Sequence, residues 1–270
     1  MNAAPVRKAD KPLLLAALLA LLGLLISACG AQPQPAAPSP TAEGSSSRGA
    51  ITVLAAASLT EAFNQIGKDF EAKNRGSKVT FSFGSSATLA TQIVQGAPAD
   101  VFAAASPATM KTVTAAGAAN TPKDFVSNTL EIAVPKGNPH KITGLNDFGD
   151  ESRRIALCAP QVPCGAAAVK VFAEVKIVPK PDTLEQDVKA TLQKVASDEV
   201  DAALVYKTDV LSAGDQVDGI EFPEAQQAIN VYPMATLKDS KNPALAQAFL
   251  DYVLSPEGQA VLAKAGFAQP

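Results

Sequence analysis

From residue 51 onward, apolar positions switch repeatedly between two periods. Ile51-Thr52-Val53-Leu54-Ala55 is a short β-rich run, so 51–55 is predicted as a strand. Residues 59–73 then place Phe63, Ile66, Gly67 and Phe70 on one helical face. Val79-Thr80-Phe81-Ser82-Phe83 alternates, giving a strand over 78–83, and 88–95 returns to helical spacing. Gly96-Ala97-Pro98-Ala99 reads as a turn and 100–104 as a buried strand. Ser106-Pro107 opens another helix, with proline at its first position.

A second block begins with a strand over 129–135. It continues with a strand over 154–157, a helix over about 166–172, a short edge at 177–178 and a helix over 187–195. In that last helix Val188, Leu192 and Val195 recur at helical spacing. A buried strand over 202–205 ends at Tyr206, 227–233 reads as a strand, and 243–254 and 256–265 as terminal helices. Such alternation implies α/β lobes, each a mainly parallel sheet flanked by helices. The long extended segments 129–135 and 228–233 are candidate hinge strands. The division is then 50–130 plus 233–270 for lobe 1 and 131–232 for lobe 2, with any ligand in the cleft at the strands' C-terminal ends.

The first residues follow a different rule. Arg7, Lys8 and Lys11 form a basic start, and 13–26 is an apolar run short for a membrane span. Ile26-Ser27-Ala28-Cys29 matches a bacterial lipobox, which predicts a signal peptide over 1–28 and a lipid on Cys29. The alternatives are an ordinary signal peptide or an uncleaved anchor. Residues 29–49, rich in Pro, Ala, Ser and Gln, read as a disordered tether.

The whole chain carries −3, and residues 1–28 carry a net +2, which leaves −5 on the remainder. An acidic chain with few aromatics and no basic run is a poor nucleic-acid binder. Cys158 and Cys164, separated by five residues in a Pro-rich loop, suit a disulfide in an exported protein; two free thiols are the alternative.

Chemistry concentrates where strands meet helices. Ser58, followed by Glu61, reads as an N-cap with a capping box at the end of the first strand. Gly84-Ser85-Ser86 repeats the arrangement after the second strand. Two such junctions facing each other can hold one small oxyanion between free N–H groups and hydroxyls. Each serine taken alone is as well explained as a cap, and Asp100 in its Gly-Ala-Pro-Ala-Asp turn as a loop-bonding residue.

Ala-Ala-Ala-Ser-Leu-Thr at 55–60, Gly-Ser-Ser-Ala-Thr-Leu-Ala at 84–90, Gly-Ala-Pro-Ala-Asp-Val-Phe at 96–102 and Leu-Val-Tyr at 204–206 resemble the periplasmic molybdate-binding proteins of bacterial importers. The resemblance runs through nearly the whole folded part. It implies a two-lobed type II periplasmic-binding-protein fold, a molybdate or tungstate ligand, no cofactor, and delivery to the permease and ATPase subunits of an ABC importer. A monomer is expected, and the lipobox predicts that it is anchored through Cys29 to the outer face of the cytoplasmic membrane. The family's ligand contacts map onto Ser58, Ser86, Val188 and Tyr206, and onto Cys164, where the family often has alanine. The metal would be held through its oxygens, with no direct coordination.

A fully deprotonated oxyanion offers only acceptors, so its binder supplies hydroxyls and N–H groups. None of these motifs contains Lys or Arg, and none places a carboxylate in the donor ring. Phosphate, partly protonated near neutral pH, would profit from an acceptor; molybdate, tungstate and sulfate would not. A receptor for sulfate or another small oxyanion is therefore the alternative. A hydrolase using Ser58 or Ser86 lacks a Gly-x-Ser-x-Gly elbow, and its only His, His140, lies in a Pro-flanked loop. A purely structural lipoprotein would bind no oxyanion.

Overall fold

The computed structural model describes residues 48–270. The predicted leader, Cys29 and nearly all of the tether lie outside the described residues, and the first strand already begins at Gly49.

One sheet contains β1 (Gly49–Ala56), β2 (Ser77–Gly84), β3 (Val101–Ala103), β4 (Lys123–Asn128) and β10 (Asn230–Thr236) in the order β2-β1-β3-β10-β4. The other contains β5 (Leu130–Pro135), β6 (Ile155–Cys158), β7 (Thr183–Glu185), β8 (Ala202–Tyr206) and β9 (Val217–Ile220) in the order β7-β6-β8-β5-β9. Helices α1 (Thr60–Lys73), α2 (Ser86–Val94), α3 (Pro107–Ala115), α7 (Pro243–Leu254) and α8 (Pro256–Lys264) accompany the first sheet. Helices α4 (Pro163–Val175), α5 (Val188–Ala196) and α6 (Lys207–Ala213) accompany the second.

Both sheets are mixed, where a mainly parallel arrangement is expected from the alternation. In the first, β1 runs parallel to β2 and β3, whereas β10 is antiparallel to β3 and β4. In the second, β6 runs parallel to β7 and β8, whereas β5 is antiparallel to β8 and β9. The antiparallel members are the strands that follow the passages between sheets. Neither β5 nor β10 is preceded by a crossover helix, so nothing forces it parallel.

The passages themselves lie beside the segments expected to form them. Leu130–Pro135 is wholly buried inside the second sheet, and Asn230–Thr236 belongs to the first. The chain crosses at Thr129 and over 221–229. No strand forms at 177–178; the edge is β7 instead. Strands β4 and β9 and helix α6 have no counterpart in the periodicity reading.

The first sheet's core follows the predicted stripe of α1, which buries Ala62, Phe63, Ile66, Gly67 and Phe70. Phe63 meets the rings of Phe81, Phe125 and Phe249 at centroid distances of 5.9–6.1 Å. Gly67 is required there, because a Cβ would lie 2.6 Å from the Phe81 ring. Burial of this apolar surface is the main stabilising term, at about 25 cal/mol per Å².

Candidate functional site

The first site residue follows β1. A 3-10 turn, Ala57–Leu59, intervenes before α1, so Leu59 occupies the N-cap and Glu61 falls one position short of a capping box. The predicted cap on Ser58 therefore does not form. Its Oγ instead lies 2.8 Å from the Tyr232 hydroxyl, and Glu61 pairs at 3.0 Å with Lys189 of the other sheet's α5.

After β2 the chain passes Ser85 and enters α2 at Ser86, whose Oγ accepts from the Ala105 N–H at 2.9 Å. Ser85 makes no side-chain cap, and its buried Oγ has no protein partner among the described residues.

Two sites come from helix starts in the second sheet. Helix α4 begins three residues earlier than expected, at Pro163. Proline has no N–H, so Cys164 is the first residue of the helix with a backbone donor. Cys164 is joined to Cys158 at the end of β6, with the two Cα atoms 5.8 Å apart. The following turn is tight: a Cβ on Gly165 would lie 1.9 Å from the Ala159 carbonyl oxygen. Helix α5 starts at Val188, capped by Asp187, whose carboxylate accepts from the N–H groups of Lys189 and Ala190. Val188 thus keeps the leading N–H of the helix.

The fifth residue, Tyr206, closes β8 and is 1 % exposed. Its hydroxyl accepts from Asn230 Nδ2 at 2.7 Å. Burial pushes both Tyr206 and Tyr232 well above the ordinary tyrosine pKa, so both stay protonated and able to donate at physiological pH.

Ser58, Ser86, Cys164, Val188 and Tyr206 line a single cavity, together with Ser85, Ala105 and Asp187. Its free volume is about 20 Å³, only somewhat more than the ~10–15 Å³ that holds one water. Such a space takes a compact ion and excludes a sugar or a peptide. The starts of α2, α4 and α5 all lie on its wall, so the positive ends of three helix dipoles converge there.

No Lys or Arg lines the cavity. One carboxylate does, Asp187, which departs from the carboxylate-free ring expected from the motifs. Its bonds to the α5 backbone occupy it as a cap, and Lys189 Nζ compensates another carboxylate nearby, 3.3 Å from Asp209. Asp209 is fully buried, and that burial raises its pKa to about 6.

Residues outside the cavity take structural parts. Asp100 accepts from the N–H of Thr52 and Lys241 and from Ser240 Oγ, fastening the loop before α7. His140 stands beside Asp198 and Asp201, with neither serine near it in the cavity wall. Sequence periodicity missed Tyr232 and Asn230, which contact the Ser58 and Tyr206 hydroxyls, and Asn128, which contacts Tyr232. Their only signal was polar character in a strand otherwise buried.

Residues 51–268 match the model of a family described as bacterial extracellular solute-binding proteins. The molybdate-binding protein ModA of Mycobacterium tuberculosis is 41% identical over 252 residues, covering 93% of this chain and 95% of that protein. The chain belongs to this solute-binding family. ModA of Escherichia coli is 32% identical over 236 residues, covering 81% of this chain and 89% of its own length. The Azotobacter vinelandii periplasmic molybdate-binding protein shares the fold with a TM-score of 0.70 at 24% identity, over 82% of this chain and 99% of that one. The two-sheet fold is therefore that of a type II solute-binding protein. Such relatives are binding components of ABC transporters, not enzymes. Among the described residues no helix is long and apolar enough to cross a membrane.

Proposed function

We propose that this solute-binding protein captures molybdate, and tungstate with it, and delivers the anion to an ABC permease and its ATPase. The observation that carries this reading is the cavity itself: the hydroxyl-bearing residues Ser58, Ser85, Ser86 and Tyr206 and three helix N-termini converge on about 20 Å³ with no basic side chain. In this proposal Ser58, Ser86 and Tyr206 donate O–H groups, and Cys164 and Val188 donate backbone N–H groups, to a dianion whose oxygens only accept. The anion bridges the lobe built on the first sheet and the lobe built on the second, which close on it by bending at the two chain crossings, Thr129 and 221–229, each just ahead of the boundary expected from 50–130 plus 233–270 and 131–232. The names and near full-length similarity of the ModA relatives support the choice of ion. The Ile26-Ser27-Ala28-Cys29 run supports export with a lipid on Cys29, which holds a monomeric receptor at the outer face of the cytoplasmic membrane.

Isothermal titration calorimetry with molybdate, tungstate, sulfate and phosphate tests the reading. Tight binding of the first two, with sulfate and phosphate far weaker, is expected. Tight sulfate binding without molybdate binding would overturn it in favour of a sulfate receptor.

A further inference from the structure

Two of the cavity hydroxyls, those of Ser86 and Tyr206, are approached by a protein donor, whereas that of Ser85 has no protein partner among the described residues. The Ala105 N–H occupies a lone pair of Ser86 Oγ at 2.9 Å, and Asn230 Nδ2 occupies one of the Tyr206 hydroxyl at 2.7 Å. The orientation of Asn230 is unambiguous, because its Nδ2 also donates to the Ala105 carbonyl at 2.8 Å, and only an NH2 group can do both. A Tyr206 oxygen that already accepts from this amide has its own proton left to point at the cavity. The same ordering reaches Ser58 through one more link. Asn128 Oδ1 accepts from the Thr129 N–H, which fixes its Nδ2 toward Thr208 Oγ1 (2.8 Å) and the Tyr232 hydroxyl (3.4 Å). The Tyr232 and Ser58 hydroxyls lie 2.8 Å apart, and with Tyr232 accepting from Asn128 the proposed direction is from Tyr232 to Ser58, which leaves the Ser58 proton for the cavity.

Asn128 and Asn230 are register partners in the β4–β10 ladder. They stand where the chain passes between the sheets: Asn128 just before Thr129, Asn230 just after 221–229. Asn230 spans the cleft, tying Tyr206 of the second sheet to the Ala105 peptide beside the first, and that peptide in turn orients Ser86. Both asparagines are buried.

We propose that Asn230, with its ladder partner Asn128, is a positioning residue that sets the proton direction of the cavity hydroxyls and so selects a fully deprotonated oxyanion over a protonated one. This inference rests on the oxyanion reading above. An anion that still carries a proton needs an acceptor, and each donor behind a cavity hydroxyl takes up one of the lone pairs that could serve as one, while the Asp187 carboxylate is occupied as a helix cap.

The test is a double-mutant cycle read by calorimetry with molybdate and with phosphate near neutral pH. Asn230→Asp replaces the donor by an acceptor, so the Tyr206 proton turns inward and its lone pair faces the anion. Molybdate affinity is expected to fall about tenfold or more, the scale of one hydrogen bond to a charged group, while phosphate loses less or gains. In a Tyr206→Phe background there is no proton to turn, and Asn230→Asp should change molybdate affinity by less than about threefold, well under the tenfold step that one such bond represents. An equal loss in both backgrounds would mean that added charge or disrupted packing explains the effect, and the proposal would be wrong. If Asn230→Asp does not give a cooperative melting transition, Asn128→Asp with and without Tyr232→Phe puts the same question to Ser58. There, Tyr232→Phe must restore most of the lost affinity, and failure to restore it overturns the proposal. Wild-type protein that binds none of these anions would sink the oxyanion reading itself, an outcome separate from failure of the cycle.

Discussion

At the residue scale no basic side chain lines the cavity. Ser58 and Ser86 are 4 % and 1 % exposed, and each is supported by a neutral partner. Ser58→Ala and Ser86→Ala should each weaken oxyanion binding by roughly 1.5–3 kcal/mol, measured by calorimetry. Unchanged affinity in both variants would exclude these residues from the site. Asp209 makes a second prediction. Its folded pKa of about 6 lies above the ordinary Asp value because burial disfavours the carboxylate. The folded state therefore holds this proton more tightly than the unfolded state. The stabilisation it gives is fully present below about pH 4, declines as pH rises toward 6, and is absent above. Asp209→Asn should remove that decline, an effect on the order of 3 kcal/mol across the window, visible as a flatter dependence of Tm on pH between 4 and 6. The serine roles were already implied by the resemblance, whereas the Asp209 shift could not be read from the chain, since no helix was expected over Lys207–Ala213 and the burial of Asp209 comes from tertiary packing.

At the element scale the decisive features are helix starts. The positions of α2 and α5 were legible, because a serine or an aspartate precedes a run of helical spacing in each case. The start of α4 was not: a proline-rich loop reads as irregular, yet Pro163 is well suited to a first helical position, where no N–H is needed. The capping box expected at Ser58 failed for a related reason. Local pattern shows that a helix begins nearby, but a 3-10 turn of three residues moved the true cap to Leu59 and released Ser58 toward Tyr232. Gly165 holds the α4 start against the backbone of Ala159. Gly165→Ala should push that first turn away from the cavity, at a stability cost of about 1–3 kcal/mol typical of overpacking. A lowered Tm together with weaker anion binding is the expected pair of results; weaker binding is the one that ties the turn to the Cys164 N–H.

At the scale of the whole molecule, two mixed sheets supply opposite walls of one small cavity, with Glu61 and Lys189 forming an ion pair between them at 3.0 Å. A ligand held by both walls should stabilise the folded chain as a unit. At 100 times its Kd, molybdate should add about 2.7 kcal/mol, seen as a rise in Tm that equal concentrations of a non-binding anion do not produce. A structural lipoprotein would show no such rise. The sequence by itself determined the alternation of strands and helices, the α1 stripe, and the helical runs of α2 and α5, read as 88–95 and 187–195 against Ser86–Val94 and Val188–Ala196. These are local, because propensity, period and capping act over a few residues. Only the tertiary structure decided the direction of β5 and β10, the crossings at Thr129 and 221–229, and the convergence of Ser58, Ser86, Cys164, Val188 and Tyr206 on one point. It also decided that Asn128 and Asn230 stand behind the hydroxyls. Those facts depend on contacts between residues tens to more than a hundred positions apart, and a hydroxyl's proton has no direction until the group behind it is in place.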